Sequence, residues 1–555
     1  LIWNGFLLVT MKVLNSYENI DDSAGLCIDC MGIKKTPAEG KKKENVMEKK
    51  NEIQRPDIMI YMSDQHGADY CSWGRTPVDT PVLDEMRKDG VSFEAAYTAC
   101  PLCVPARMSM MSSILPSHTG VYENSYTLSN LTPCFTHALV EAGYETVLIG
   151  RMHFIGRDQR HGFTKRLASD ITPVSWKKPF KKIVEERGKT VSAFSSRGAI
   201  DLVGAGESIV TDYDQMVLKT ALEYLQEDHE KPQFILVGTF GPHFPYITDK
   251  EMYRKYYDRV QKPEYFDIDP VSDYIKENDI LNGKRKGEKV DWNIARGCLA
   301  AYCGQIEVMD RQIGTLWDAW KQYAEKQGKR QIFGYISDHG DMAGERRMYG
   351  KQVYFEKAAR IPMIFDGDGI QRNQVIEAPV SLMDVGPTVC EMAGTTFEIG
   401  DGRSLKGWLD HGRQWSEEHP EEKERIVASQ LMDEQDGKLY ASLMLRYKNY
   451  KYIWYHDQKP LLFDLDKDPG EQENLAGKGI KIEEWLKKQA ETYGDFETME
   501  RQCLENRRNA DLFKIYENAA GFDDSERWKD NPPSSRGENL EIVAVDRICL
   551  VNREW

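Results

Sequence analysis

The sequence contains no run near the roughly 20 consecutive apolar residues that a membrane-spanning helix needs, so we expect no membrane partner. The stretch up to Leu14 has neither a basic start nor a small-residue cleavage site, which disfavours a signal peptide. Eleven cysteines are too sparse for a disulfide framework, and together these features predict a cytoplasmic protein.

The sequence has fewer basic residues than acidic ones, 73 against 89. The net charge of −16 disfavours a nucleic-acid partner, so any anionic ligand needs positive charge gathered locally.

The length and the changes of pattern along the chain predict several segments. A single hydrophobic core rarely extends beyond about 250 to 300 residues, and the chain has 555. Charged runs mark the first segment, in which Met11 or Met47 is a candidate initiator. We expect a poorly ordered N-terminal extension (1–54), an α/β catalytic domain (55–424), a small C-terminal subdomain with an antiparallel sheet (425–500) and a charged tail (501–555). The tail could pack on a second copy of the chain, so a homo-oligomer is a possible partner.

Four short apolar runs are predicted strands of a large, mostly parallel sheet, and each is followed closely by polar residues. In open α/β sheets, ligands bind beyond the carboxyl ends of the strands, so these loops are expected to meet at one site. The strands and their loops are Asp57 to Met62 with Ser63-Asp64-Gln65-His66, Glu145 to Ile149 with Gly150-Arg151-Met152-His153, Gln233 to Gly238 with Gly241-Pro242-His243-Phe244-Pro245, and Gln331 to Ile336 with Ser337-Asp338-His339-Gly340.

A further segment places a cysteine, whose thiol can act as a nucleophile, at a predicted helix start. Cys103-Val104-Pro105-Ala106-Arg107 opens an apolar run from Met108 to Leu115, which Pro116 ends. Proline suits the first helical turn, and the unpaired N–H groups there favour an anion. Taken alone, Cys103 is more simply a buried, inert thiol.

The pattern Cys-x-Pro-x-Arg at 103–107, followed by Leu115-Pro116-Ser117-His118-Thr119-Gly120, resembles the signature of the sulfatase family. The bare five-residue pattern would arise by chance on the order of a few hundredths of a time in such a chain, and its extension makes chance rarer. The resemblance implies an alkaline-phosphatase-like α/β sandwich with a small C-terminal sheet. It also implies that a maturation enzyme oxidises Cys103 to formylglycine.

The polar loops resemble further motifs of that family, in the same order along the chain. Gly150-Arg151-Met152-His153 resembles its Gly-Lys-x-His element, with arginine in place of lysine. Arginine presents a rigid fork of donors, whereas lysine presents a point charge. The resemblance implies catalytic roles for Cys103, Arg107, Arg151, His153, His243 and Lys351. It implies one divalent metal, Ca²⁺ by default with Mg²⁺ or Mn²⁺ as alternatives, at Asp64, Gln65, Cys103, Asp338 and His339.

The implied reaction is hydrolysis of a sulfate ester, carried by a sugar, an aryl group or another small molecule, to an alcohol and inorganic sulfate. Hydrated formylglycine would attack sulfur while the cations stabilise the developing charge. His243, with Lys351, would protonate the departing oxygen, and His153 would take the proton that releases sulfate. Two alternatives remain open: a phosphonate monoester or phosphodiester hydrolase of the same superfamily, and an inactive homologue that binds sulfated glycans.

Overall fold

The computed structural model describes residues 55–172, 200, 203–206, 208–276, 290–435, 437–520 and 540–543. The predicted N-terminal extension over 1–54 therefore lies outside the described residues, as does most of the chain after 520. No helix in the described ranges combines the length and the apolar character needed to cross a membrane.

Strands and helices alternate from Asp57 to Met392, and four consecutive strands follow between Val427 and Asp464. In chain order the described strands are β1 Asp57–Asp64, β2 Val91–Phe93, β3 Ala96–Tyr97, β4 Glu145–Gly150, β5 Lys165–Ala168, β6 Val203–Gly206, β7 Gln233–Pro242, β8 Tyr246–Thr248, β9 Gln331–Ser337, β10 Arg360–Ile361, β11 Met363–Gly367, β12 Gln374–Ile376, β13 Val380–Ser381, β14 Val427–Gln435, β15 Lys438–Tyr447, β16 Tyr450–Tyr455, β17 Leu461–Asp464 and β18 Leu540–Val543. The described α-helices are α1 Pro81–Asp89, α2 Cys103–Ser112, α3 Pro116–Thr119, α4 Phe135–Glu141, α5 Ile209–Tyr224, α6 Lys250–Arg259, α7 Asp273–Lys276, α8 Trp292–Gln327, α9 Glu356–Ala359, α10 Val385–Met392, α11 Lys406–His411, α12 Trp415–Glu418, α13 Lys481–Tyr493 and α14 Phe496–Ala520.

The central sheet has eight strands in the order β12-β2-β11-β9-β1-β7-β4-β5. The strands from β9 to β5 run parallel to one another, whereas β11 is antiparallel to both of its neighbours. This arrangement confirms the predicted large, mostly parallel sheet. The four strands predicted from the sequence are adjacent in it, as β9-β1-β7-β4, so their carboxyl ends share one edge.

Helices cover both faces of this sheet, and its strands are accordingly apolar on both sides. In β1, Ile58, Ile60 and Met62 face one hydrophobic cluster, while Met59 and Tyr61 face the other. This is the alternation expected of a strand whose successive side chains point to opposite faces. The first cluster contains α2, and the second contains the long helix α8.

Local hydrogen bonds explain why two predicted helix starts are displaced. Apolar spacing in the sequence predicts a helix from Asp212 to Gln226. In the structure Ser208 accepts a hydrogen bond from Val210 N–H and so starts this helix, α5, at Ile209. The sequence also predicts a helix from about Ile294 to Gln327. Its counterpart α8 begins earlier, at Trp292, because the carboxylate of Asp291 accepts from Asn293 N–H and Ile294 N–H, and Gly328 ends it in the left-handed region.

The small C-terminal sheet, β14-β15-β16-β17, is antiparallel throughout, as predicted. It packs on the catalytic part through an apolar cluster and a buried ion cluster. Within the ion cluster Lys451 Nζ, which is fully buried, lies 2.8 Å from Glu356 and 2.7 Å from Glu471. Glu356 N–H also donates to Glu471 at 2.9 Å. The small sheet is therefore joined to helix α9 by paired buried charges.

The boundary predicted at residue 500, between the C-terminal subdomain and the charged tail, falls inside a helix. Helix α14 extends from Phe496 to Ala520, and its first half packs on the chain that follows α3. Tyr122 OH donates to Gln502 at 2.6 Å, and Asn506 donates to the carbonyl of Gly120 at 2.7 Å. The apolar residues Met499 and Cys503, which are buried, explain why the helix continues past the boundary.

Candidate active site

The four predicted loops meet at the carboxyl edge of the central sheet, where two buried carboxylates flank a buried guanidinium. Asp64 is the last residue of β1, and Asp338 follows β9 directly. Arg107 donates from Nη2 to Asp64 at 3.1 Å and from Nε to Asp338 at 2.9 Å. Asp338 also accepts from the backbone N–H groups of Gln65 and His339. Because all of these side chains have essentially no exposure, the pairs are strongly coupled.

Cys103 faces this cluster from the first residue of α2. Its Sγ lies 3.1 Å from His339 Nε2 and 3.8 Å from an oxygen of Asp64. The helix holds this orientation because every one of its ten residues is buried, and Asn124 accepts from Val104 N–H in its first turn. Since His339 Nδ1 lies against the carbonyl of Gly340, that nitrogen carries the hydrogen and Nε2 presents its lone pair to the cluster.

On one side of the cluster, Gln65 connects to Lys351 and His243. Lys351 Nζ donates to Gln65 Oε1 and lies 2.8 Å from His243 Nε2. His243 Nδ1 lies 2.6 Å from the carbonyl of Phe244, so Nδ1 carries the hydrogen and Nε2 accepts from the ammonium group. Gln65 adopts a φ of 74°, a left-handed conformation that is uncommon for a residue with a side chain.

On the other side, Arg151 connects Asp64 to His153. Arg151 Nε donates to Asp64 at 2.7 Å, and Nη2 lies 2.8 Å from His153 Nδ1. A close approach of two strand ends makes this possible, because a Cβ on Gly150 or Gly238 would collide with the neighbouring backbone. The structure thus brings all ten residues named from the sequence into one network: Asp64, Gln65, Cys103, Arg107, Arg151, His153, His243, Asp338, His339 and Lys351.

The charges around the cluster set its protonation. Burial alone would raise the pKa of Asp64, but Arg151, His243, Arg107 and Lys351 hold that pKa well below its usual range. Burial lowers the pKa of His339. Burial, followed by Lys351, lowers the pKa of His243 well below its usual range. Asp64 is therefore ionised at neutral pH, whereas His339 and His243 are neutral imidazoles.

The donor set suits a divalent cation. Asp64, Asp338, His339 and Cys103 each place one candidate ligand atom within 4.8 Å of all the others, and all four residues are buried. Two carboxylates and a neutral imidazole with its lone pair turned inward are a combination that divalent ions accept. The oxygen of Gln65, by contrast, is engaged by Lys351. The residues present therefore fit the predicted metal, and their composition leaves the choice of ion open.

Sequence reasoning missed two buried carboxylates that support this network. Asp341 accepts from Gln65 Nε2, from Tyr246 OH at 2.9 Å and from two backbone N–H groups. Asp170 accepts from Arg151 Nη1 at 3.0 Å and from His153 N–H at 2.7 Å. Asp341 stands three residues after Asp338, a spacing that could have drawn attention to it. Asp170 has no comparable signal, because it lies in a loop that the motifs do not cover.

The fold and this site together define a hydrolase of the alkaline-phosphatase-like class. The sequence model of the Sulfatase family matches residues 56–395. The chain is 31% identical to the choline-sulfatase of Rhizobium meliloti over 76% of this chain and 82% of that protein. It is 27% identical to the arylsulfatase of Clostridium perfringens over 76% of this chain and 90% of that one. The chain belongs to the Sulfatase family, which confirms the predicted family and an enzyme of the sulfuric ester hydrolase class.

A solved structure gives the same fold. The phosphonate monoester hydrolase of Agrobacterium radiobacter superposes with a TM-score of 0.62, covering 82% of this chain and 96% of that one, at 20% sequence identity. At this identity the likeness concerns the fold alone. It confirms the predicted α/β architecture with its additional small sheet.

Proposed function

We propose that this enzyme hydrolyses a sulfate ester to an alcohol and inorganic sulfate, using a formylglycine made from Cys103 and one divalent metal ion. The observation that carries the proposal is the position of Cys103, whose Sγ lies 3.1 Å from His339 Nε2 and 3.8 Å from an oxygen of Asp64. Burial, followed by the charge of Asp64, raises the pKa of its thiol to about 11, so the thiol stays protonated at neutral pH. A cysteine so placed is a poor nucleophile. Its position against the carboxylates and cations suits a residue that is converted before use.

The residues at the carboxyl edge have three different roles in the proposed reaction. Asp64, Asp338 and His339 would hold the metal, and Gln65 would join them by exchanging its contact with Lys351 for the ion. The metal would supply Lewis-acid polarisation of the sulfuryl group when bound. Formylglycine at position 103 would supply an oxygen nucleophile in place of the thiol. Arg107 keeps both carboxylates in place, since it donates to each of them.

Lys351 and His243 are the proposed source of the proton for the departing alcohol oxygen. The ammonium group of Lys351 lies 2.8 Å from the lone pair of His243 Nε2, so one proton is shared between them beside the cluster. Both residues are only 7% exposed, which keeps water from competing for this proton. Lys351 also adds a positive charge where negative charge develops during sulfuryl transfer.

The substrate class rests on the relatives and on the charge pattern. Two curated relatives are named a choline-sulfatase and an arylsulfatase. A chain with a net charge of −16 that gathers Arg107, Arg151 and Lys351 at one buried point is suited to a small, locally anionic group. We propose a small-molecule or glycan sulfate ester, with a formylglycine-generating enzyme as the maturation partner.

A rate comparison tests the proposal. Purified enzyme is assayed with 4-nitrophenyl sulfate, choline sulfate and 4-nitrophenyl phenylphosphonate, after metal removal and after addition of Ca²⁺, Mg²⁺ or Mn²⁺. Sulfate turnover that needs metal and disappears in Cys103→Ala is expected. Cys100→Ala, which removes a neighbouring buried thiol outside the network, is the matched control and should stay active. Faster phosphonate turnover would instead favour the phosphonate hydrolase alternative, and no turnover would favour a binding homologue.

Mass spectrometry tests the modification directly. The peptide that contains Cys103 is expected to carry formylglycine in protein from a host with a maturation enzyme. An unmodified thiol in an active preparation would refute the formylglycine mechanism.

A further inference from the structure

A third buried carboxylate holds the turn that carries His243. Asp214, on helix α5, is 4% exposed, and its two oxygens accept from consecutive backbone N–H groups at the end of β7. Phe240 N–H donates to Oδ1 at 2.7 Å, and Gly241 N–H donates to Oδ2 at 2.8 Å. The carbonyl of Phe240 accepts from His243 N–H at 3.1 Å, which closes the turn. Asp214 therefore fixes the backbone position of Phe240 and, with it, the start of this turn.

The fit between Asp214 and this turn is close. A Cβ on Gly241 would lie only 2.7 Å from Oδ2 of Asp214, so a side chain there would displace the carboxylate. A carboxylate offers one oxygen to each N–H group, whereas an amide has a single oxygen and would turn a donor toward one of them. Burial raises the pKa of Asp214 to about 7, while the N–H groups of Phe240 and Gly241 lower it. At about pH 8 the carboxylate is therefore mostly ionised, and both bonds hold the turn.

The ring of Phe240 lies between the two sides of the active site. Its centroid is 4.6 Å from the guanidinium carbon of Arg151 and 4.6 Å from the ring centroid of His243. The first contact attracts the cation to the ring, and the second packs the two rings at 44° to each other. Phe240 is fully buried, so these contacts exclude water. The same ring therefore spaces Arg151, on one side of the cluster, from His243, on the other.

We propose that Asp214 is a positioning residue of the active site, which acts through the ring of Phe240 to set the distance between His243 and Arg151. In the described part of the chain both hydrogen bonds of Asp214 come from this one turn, so its effect on the reaction must pass through the turn. The inference rests on the proposed function for the departing oxygen that His243 and Lys351 protonate. The catalytic groups keep their proposed roles.

The dependence on the leaving group separates a misplaced His243 from general damage to the site. Wild type and Asp214→Asn are assayed at about pH 8 with a series of 4-substituted phenyl sulfates, from nitro to methoxy. Nitrophenolate departs readily without a proton, so kcat/KM for its ester is expected to fall less than about fivefold. The methoxyphenyl ester should lose about 10- to 100-fold, a part of the 10²- to 10⁴-fold that a positioned acid supplies.

An equal fall for all esters would overturn the positioning role, because damage to the whole site lowers every rate alike. Glu223→Gln, which neutralises an exposed carboxylate on the same helix, is the matched control and should leave the dependence on the leaving group unchanged.

A double-mutant cycle tests the path through Phe240. Phe240→Leu removes the ring but keeps an apolar side chain and the backbone bonds to Asp214, and it should steepen the dependence on the leaving group in the same way. In the Phe240→Leu background, Asp214→Asn is expected to cost less than about threefold with the methoxyphenyl ester. Two losses that simply multiply would refute this path. Gly241→Ala, which pushes the carboxylate away from the turn, replaces Asp214→Asn in the cycle if the latter does not fold.

A measurement without turnover tests the geometry alone. Crystal structures of the Cys103→Ala chain with and without Asp214→Asn are compared at the rings of Phe240 and His243. The substitution is expected to change the spacing of the two rings by about 1 Å, a displacement that can cost about 10² in rate. An unchanged spacing would overturn the inference. Because this readout needs no activity, it distinguishes failure of the positioning role from failure of the proposed sulfatase reaction.

Discussion

Replacing Arg107 by methionine should destabilise the metal-free protein by about 3 kcal/mol. The change removes the buried cation between Asp64 and Asp338 while keeping a side chain of similar length. Breaking a buried pair costs about 3 to 5 kcal/mol, because an uncompensated charge is left behind. The lower end applies here, since Asp64 keeps Arg151 and Asp338 keeps two backbone N–H donors.

Thermal unfolding in EDTA and in calcium measures this effect. For a chain of this length the unfolding entropy is about 1 kcal/mol per kelvin, so we expect a fall in Tm of about 3 °C in EDTA. Calcium at about 100 times the Kd of the wild type adds about 2.7 kcal/mol to the wild type. The gain should be at least as large in Arg107→Met, because a cation that repels the metal is gone. The Tm of Arg107→Lys in EDTA should lie between those of the wild type and Arg107→Met, because lysine can reach only one of the two carboxylates. An unchanged Tm in EDTA would refute the view that Arg107 compensates buried, ionised carboxylates.

Three further outcomes are expected. Asp341→Asn frees the amide of Gln65 and should weaken metal binding about tenfold by isothermal titration calorimetry, without loss of the fold. Lys451→Met should cost about 3 to 5 kcal/mol in denaturant unfolding, because it removes the buried cation shared by Glu356 and Glu471 and leaves Glu471 without this ion pair, while Glu356 keeps its pair with Arg360. Burial would raise the pKa of Asp69, but Arg360, Lys357 and Arg75 hold it well below its usual range. Asp69 therefore stabilises the fold above about pH 4 and loses this contribution below it, so the Tm difference between wild type and Asp69→Asn should narrow on acidification.

The strands and the motif residues could be predicted because their signals are local. Buried strands such as β1 and β9 are continuous apolar runs, and the polar residues after them mark the edge where ligands bind. The segment that begins at Cys103 carries its helix start in its own sequence. Such features depend on a few neighbouring residues, which is why the sequence alone placed them.

The supporting carboxylates could not be predicted because their roles arise only from folding. Asp170 lies 17 residues after His153, and nothing in its surroundings marks it until the loop returns beneath Arg151. Likewise, the apolar pattern of the sequence predicts a strand from Arg425 to Ser429. The strand begins at Val427, because Arg425 turns to pair with Asp384 at 2.8 Å. Long-range ion pairs of this kind override local propensity. Helix α14 continued past residue 500 for a similar reason, since its buried residues face a distant loop.

The buried ion cluster between the small sheet and helix α9 limits how this enzyme can be recombined with its relatives. Lys451 belongs to the small sheet, Glu471 follows it, and Glu356 comes from the catalytic part, only a few residues after Lys351. A chimera that exchanged the C-terminal sheet alone would break the buried ion pair between Lys451 and Glu356 and leave Glu356 to its second partner, Arg360. The C-terminal sheet and the segment around Lys351 should therefore be exchanged together.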